Sequence, residues 1–328
     1  MVLADADFVI LGEISGEETK PEGPFGDHLG YYSLKHEFPV LKVSEVFCRD
    51  NAVYPFTVVG RPPQEDSMFG EIVHRITKPM VPASLPGVKE LNAVDEAGVH
   101  PLLLAVGSER YTPYQKLRKP SELMTQAHSI LGFNQCSLAK FLWIAAGDVS
   151  AQKVETFFEY CLMRADFNND LHFITKTTMD TLDYSGSSIN EGSKLVVCAA
   201  GEPKFQLSDS MILKENGVKL NKIMNGVYSF ETETPFEDYK TAKNDIEDRI
   251  LPKLTQLGPG VRIVVLTNSH NKYCKKFFDF IWSAFTKMDP ARDIYGVDSY
   301  IENKHWGCRG ALVFDARTKT HHAPELTR

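Results

Sequence analysis

Two strongly apolar runs, each followed by an aromatic-rich helical segment, constrain this chain most. FLWIAA (141–146) precedes KVETFFEYCLM, and VRIVVLT (261–267) precedes KKFFDFIWSAFTKM (275–288). Runs this short and this apolar predict strands buried on both faces, and the segments after them predict helices with one packed face. LVVCAA (195–200) and ALVFDA (311–316) add a further strand to each set. SELMTQAHSILG (121–132), with Ser121 as N-cap, and DIEDRILPKLTQLG (245–258) add a helix before each, and Ser150 is expected to cap KVETFFEYCLM. Strands alternating with helices predict mostly parallel sheets covered by helices, and the repeated order predicts a duplicated α/β unit. Aligned without gaps, residues 141–170 fall on 264–293, so that Phe157 meets Phe280 and the pair Asp166, Asp170 meets Asp289, Asp293.

The first hundred residues read differently. Strands are expected at 8–14, 39–47 and 53–60, a helix at 67–76 and a buried strand at 102–106, with the polar stretch 108–119 as a connection. The expected organisation is α+β: a β-rich unit over 1–115, a first α/β unit over 116–202 and a second, related one over 203–328. Tyr31, Tyr32, Trp143, Phe157, Phe158, Trp282 and Phe285 are expected to pack in cores.

A net charge of −7 and the lack of a long Lys/Arg run argue against nucleic acid as a partner, and 43% hydrophobic residues suit a folded protein. The six cysteines are scattered and contain no C-x-x-C pair, which fits buried thiols in a reducing compartment. The start MVLADADFVILGEI lacks the basic and apolar regions of a signal peptide, and no apolar run is long enough to span a bilayer, so a cytoplasmic location is expected.

PEGPFGDHLGYY (21–32) is where chemistry concentrates. Pro21 and Pro24 fix two φ angles and Gly23, Gly26 and Gly30 permit conformations closed to other residues, so Glu22 and Asp27 sit in a specified loop. Two held carboxylates can divide proton-donating and electrostatic roles; equally, they can cap backbone N–H groups in a surface loop. Asp27, His28 and Glu22 can also be read as ligands of one Mn or Zn ion. His321 and His322 read as a solvated tail, Arg61 as an anion ligand or ion-pair partner, and MDPARD (288–293) as a turn knitted by Arg292 with Asp289 or Asp293. Nucleotide-loop, nucleophile-elbow and H-E-x-x-H motifs do not occur.

The same stretch resembles the signature loop of UbiD-type decarboxylases, the prenylated-flavin enzymes that act on aromatic or α,β-unsaturated acids. The resemblance extends through ADADFVILGEI, FPVLKVSEVFCRDNAVYPFTVVGRPPQED and, more loosely, IWSAFTKMDPARD. It implies prenylated FMN with Mn²⁺ and K⁺ in a split β-barrel, joined to an oligomerising α/β domain. By motif position Glu22 corresponds to the first catalytic acid and Asp27 to the acid that delivers the proton replacing CO₂. Phe69, Met179 and Leu182 correspond to substrate-pocket positions and Gln135 to a cofactor contact.

The family pattern begins before Met1: the N-terminal α/β domain and the part of the barrel that supplies an Arg, the metal ligands and most phosphate contacts have no counterpart here. The resemblance therefore assigns no metal ligand to this chain and implies a C-terminal portion, a partial split β-barrel followed by the α/β units, inactive without its missing half. A homo-oligomer acting on a small carboxylic acid, with polyprenyl hydroxybenzoates among the candidates, is the leading expectation. A non-catalytic assembly module derived from the family and a metal-dependent hydrolase are the alternatives.

Overall fold

The computed structural model describes residues 2–56, 58–111, 114, 120–215, 217–268 and 276–326; most of the expected 108–119 connection, and Cys274, lie outside them. β1 (Phe8–Glu22) and β2 (His36–Cys48) form a long antiparallel ribbon in which Phe8 stands opposite Cys48 and Glu22 opposite His36. Ile14, Leu41, Val43, Val46 and Phe47 remain exposed along it. The ribbon pairs with no third strand, and no closed barrel exists among the described residues. The strand expected at 53–60 is not formed: its described residues run irregularly, and Pro55 has no N–H to give a ladder.

α1 (Glu65–Thr77) and the short α2 (Val81–Ser84) lead into the first sheet. There β3 (Glu90–Ala93), β4 (Leu102–Gly107), α3 (Glu122–Leu131), β5 (Phe141–Ala146), α4 (Val154–Leu162), β6 (Leu171–Thr177) and β7 (Gly192–Ala199) follow in turn, with sheet order β3-β4-β5-β7-β6. β4 pairs with β5, so residues 90–107 belong to this sheet and not to the β-rich N-terminal part, as the 1–115 boundary assumed. The second sheet is built from β8 (Ile212–Glu215), β9 (Val218–Met224), β10 (Val227–Thr232), a helical run from α5 (Tyr239–Asp245) to α6 (Leu251–Leu254), β11 (Ile263–Asn268), α7 (Phe277–Lys287), α8 (Pro290–Asp293), β12 (Ile294–Gly296), the hairpin β13 (Ser299–Glu302) and β14 (His305–Cys308), and β15 (Leu312–Asp315). Its order is β12-β15-β11-β10-β9-β8.

The order β3-β4-β5-β7-β6 reappears as β9-β10-β11-β15-β12, with the hairpin β13–β14 inserted. In each set the three central strands are parallel and both edges antiparallel. The expectation of mostly parallel sheets is corrected accordingly. Helical crossovers make the centre parallel, whereas the short β9–β10 and β3–β4 connections return the chain antiparallel. The ungapped alignment also holds at atomic detail. Asp166 N donates to Asp170 Oδ2 at 2.8 Å, and Asp289 N donates to Asp293 Oδ2 at 2.7 Å.

Alternating residues of each sheet face opposite layers. Leu102, Leu104, Phe141, Trp143 and Val197 from the first sheet, and Val227, Ile263, Val265 and Phe314 from the second, enclose a shared core with α4 and α7. Phe285 of α7 sits 4.7 Å from Phe141 and 6.4 Å from Phe314, ring centre to ring centre, and so touches both sheets. The outer faces pack separately, the first against α3 and the second against Ile246, Ile250 and Leu254 from the helical run that ends in α6.

Several local expectations change. Ser150 does not cap α4, whose N-cap is Lys153; its hydroxyl instead contacts Glu90. Ser121 stands at the N-cap of α3, but the carboxylate that accepts the N–H groups of Ser121, Glu122 and Leu123 is Glu109. Arg292 stacks on the Tyr239 ring, 3.8 Å from its centre, while the Asp289 carboxylate accepts from Ser193 N at 2.9 Å. Arg61 pairs with Asp279. Cys161, Cys198 and Cys308 are buried and Cys136 partly so, but Cys48 is exposed on β2. No helix among the described residues is long and apolar enough to cross a membrane.

Candidate functional site

The loop after β1 is held at both ends. Gly23 has φ +92°, and a Cβ there would stand 2.9 Å from Leu34 O. Gly30 has φ +80°, and its Cβ would collide with the Trp282 ring, so both positions need glycine. Between them a tight turn forms: Gly30 N donates to Asp27 O and Asp27 N to Tyr31 O, both at 3.0 Å. Tyr31 is buried, and its hydroxyl donates to Thr286 O at 3.2 Å. The C-terminal segment clamps the other side, with Tyr32 N on Pro324 O and Leu326 N on Gly30 O. The expected solvated tail is therefore packed, and His322 Nδ1 lies 3.2 Å from the Tyr31 hydroxyl.

This clamping places Asp27 and His28 in a partly buried position. Asp27 Oδ1 accepts from His28 N at 2.7 Å and lies 3.0 Å from His28 Nδ1. His28 Nε2 faces Asp180 Oδ2 at 3.5 Å, and the same Asp180 oxygen is hydrogen-bonded by His100 Nδ1. Asp180 Oδ1 is held by Leu182 N at 3.0 Å. Burial disfavours the His28 imidazolium, but Asp180 and Asp27 outweigh it and raise the pKa to about 9. Burial pushes Asp180 upward, yet the hydrogen bond from His100, the neighbouring His28 imidazole and the Leu182 N–H hold it far below the usual carboxylate range.

His28 and His100 lie on the wall of a cavity of about 440 Å³ bounded by α1, α2, β3 and the turn at Asn134–Leu138. Phe69, Val73, Val81, Leu85, Leu91 and Leu103 make its lining largely apolar, and Gln135 contributes a polar group. Glu22 is exposed at the end of β1, outside the histidine cluster. Met179 is fully buried, its sulfur packed where a Cβ on Gly186 or Gly192 would stand, and Leu182 is half-buried; neither lines this cavity. The structure therefore brings Phe69 and Gln135 to one cavity with His28. It adds His100 and Asp180, which no sequence pattern marked because they come from loops far from residue 28.

The fold and site define a two-unit α/β protein with a carboxylate–imidazole cluster beside an apolar cavity. Residues 1–62 match the Rift-related domain, and residues 67–199 the C-terminal domain, of 3-octaprenyl-4-hydroxybenzoate carboxy-lyase. The chain belongs to this family, the UbiD carboxy-lyases. It is 34% identical over 326 residues to an uncharacterized protein of Chlamydia trachomatis serovar D, covering 99% of this chain and 53% of that one. It is 33% identical over 329 residues, with the same coverage, to a Chlamydia pneumoniae protein named as a subunit of 4-hydroxybenzoate decarboxylase. The chain thus spans about half the length of these curated relatives. Among solved structures, the UbiD-class enzyme HmfF from Pelotomaculum thermopropionicum, in complex with FMN, shares the fold with a TM-score of 0.50 at 19% identity, covering 62% of this chain and 43% of that one.

Proposed function

We infer that this chain is the C-terminal part of a UbiD-type decarboxylase that removes CO₂ from an aromatic or α,β-unsaturated carboxylic acid. The observation carrying this reading is the rigid 23–32 loop, which holds His28 on the wall of a largely apolar cavity with Asp27 hydrogen-bonded to it. Phe69, Val73 and Leu103 offer flat apolar walls for an aromatic ring, while His28, Gln135 and His100 offer polar groups, so the residues present fit an aromatic acid against a planar cofactor. When bound, prenylated FMN supplies the electrophilic ring that accepts the electrons released by departing CO₂. In this reading Asp27, hydrogen-bonded to His28 on the cavity wall, delivers the proton to the carbon that CO₂ leaves. Glu22 assists from the hairpin end, and Gln135 contacts the cofactor. Met179 and Leu182 act through the loop they support, since Leu182 N holds Asp180.

The exposed apolar residues of β1 and β2 support a further segment or partner chain that covers the ribbon and completes a split barrel, holding Mn²⁺, K⁺ and most of the cofactor. The chain by itself is then silent, and the complete enzyme is a homo-oligomer. The test is deuterium exchange into 4-hydroxybenzoate and related aromatic acids, with flavin absorbance, for the chain co-expressed with the covering part of a relative. Exchange that falls at least about 100-fold in Asp27→Asn is expected. Full exchange by Asp27→Asn overturns the assignment of the proton donor. A stable oligomer that never takes up flavin supports the non-catalytic assembly role instead.

A further inference from the structure

His28, His100 and Asp180 come from three segments remote in sequence: the turn after β1, the loop before β4 and the loop between β6 and β7. One ligand atom from each lies within 4.8 Å of the other two, and the nitrogens facing Asp180 Oδ2 are His28 Nε2 and His100 Nδ1. His28 Nε2 is buried and has no hydrogen-bond partner, although Asp180 Oδ2 stands 3.5 Å away. A separation of that size is close to the edge of a coordination polyhedron with bonds of about 2.1 Å. The other nitrogen of His28 faces Asp27 Oδ1 at 3.0 Å, the carboxylate–histidine relay that fixes the tautomer of a metal-bound imidazole. Asp180 is likewise oriented through its second oxygen by Leu182 N.

We propose that His28, His100 and Asp180 form a binding site for one divalent transition ion, with Asp27 orienting His28 and the open coordination positions facing the apolar cavity. Two imidazoles and one carboxylate suit Zn²⁺, Fe²⁺ or Mn²⁺ rather than Mg²⁺ or Ca²⁺, which take oxygen ligands. The direct His100–Asp180 hydrogen bond opens as the ion enters between them. Both imidazoles must present a lone pair to the ion at these nitrogens. Because His28 and His100 line the cavity, the ion's remaining positions take an oxygen donor from there: water, or the carboxylate or phenolate of a bound aromatic acid. The site is separate from the Mn²⁺ implied by family resemblance, whose ligands have no counterpart in this chain. The inference does not depend on flavin binding.

The experiment uses the full 328-residue chain, tag-free and stripped with chelator, titrated with Zn²⁺ alone by calorimetry and with Co²⁺ alone by visible absorbance. One equivalent is expected, with a d–d band of a four- or five-coordinate site. His100→Gln and Asp180→Asn should each weaken binding by at least about 100-fold, and Asp27→Asn by roughly 10-fold. Near-UV circular dichroism checks that each variant is folded. Imidazole NMR of the unmutated chain supplies a readout independent of the variants: Co²⁺ should shift or broaden His28 and His100 before His36 or His128. Absence of Zn²⁺ uptake, unchanged affinity in folded His100→Gln and Asp180→Asn, or perturbation confined to other histidines overturns the proposal. A failure of flavin binding leaves these readings unaffected.

Discussion

His322 shows how a residue changes meaning once its surroundings are known. In sequence it belongs to a polar tail; in the fold its Nε2 is buried without a partner and its ring lies against Tyr31. Burial, then the nearby Lys319, His321, Lys140 and Lys287, lower its pKa to about 2. The native chain therefore holds fewer protons here than the unfolded chain once the pH is below the ordinary value of 6.5. This contribution to stability is present above about pH 6.5 and is lost as pH falls toward 2, at up to about 1.4 kcal/mol per unit. Denaturant midpoints measured between pH 7.5 and 5 should fall more steeply for the native chain than for His322→Gln; equal slopes would contradict this. Loop 21–32 was readable as rigid because proline and glycine act locally. The tail that clamps it was not, since nothing near residues 322–326 encodes their contact with Gly30 and Tyr32.

At the scale of elements, α3 illustrates a cap supplied from a distance. Its first N–H groups need acceptors, and the Glu109 carboxylate meets three of them at 2.7–3.1 Å. Glu109→Ala should destabilise the chain by about 1–2 kcal/mol, whereas Ser121→Ala should cost only a few tenths, measured by chemical denaturation. The reverse ranking would restore the local serine cap. Apolar runs located the central strands β4, β5, β7, β11 and β15 because burial on both faces leaves few polar residues. Edge strands such as β3 and β6, together with β8 and β9, escaped that reading, as did the central β10, whose Ser229, Glu231 and Thr232 interrupt its apolar run. Their faces are partly wet, so polar residues dilute the pattern.

For the whole molecule, two sheets of the same strand order share one core. Phe285 touches Phe141 from one sheet and Phe314 from the other, with Phe158 of α4 at 5.9 Å. Phe285→Ala should therefore cost about 3–5 kcal/mol and weaken both units together. A single cooperative transition at lower denaturant is expected in fluorescence and circular dichroism alike; loss of the second unit alone, with the first unfolding at its original midpoint, would show that the shared core does not couple them. The ungapped alignment of 141–170 with 264–293 anticipated this architecture because one packing solution, used twice, leaves the same apolar spacing twice.

Local chemistry in the sequence was enough to determine the central strands, the Phe-rich helices, the rigid acid-bearing loop and the family resemblance, since each depends on neighbours a few residues apart. Tertiary structure alone decided the antiparallel edges, the clamp on loop 21–32 and the meeting of His28 with His100 and Asp180. Those features depend on which distant loops the packed sheets carry to one place, and the distance between such loops is written in no local pattern of residues.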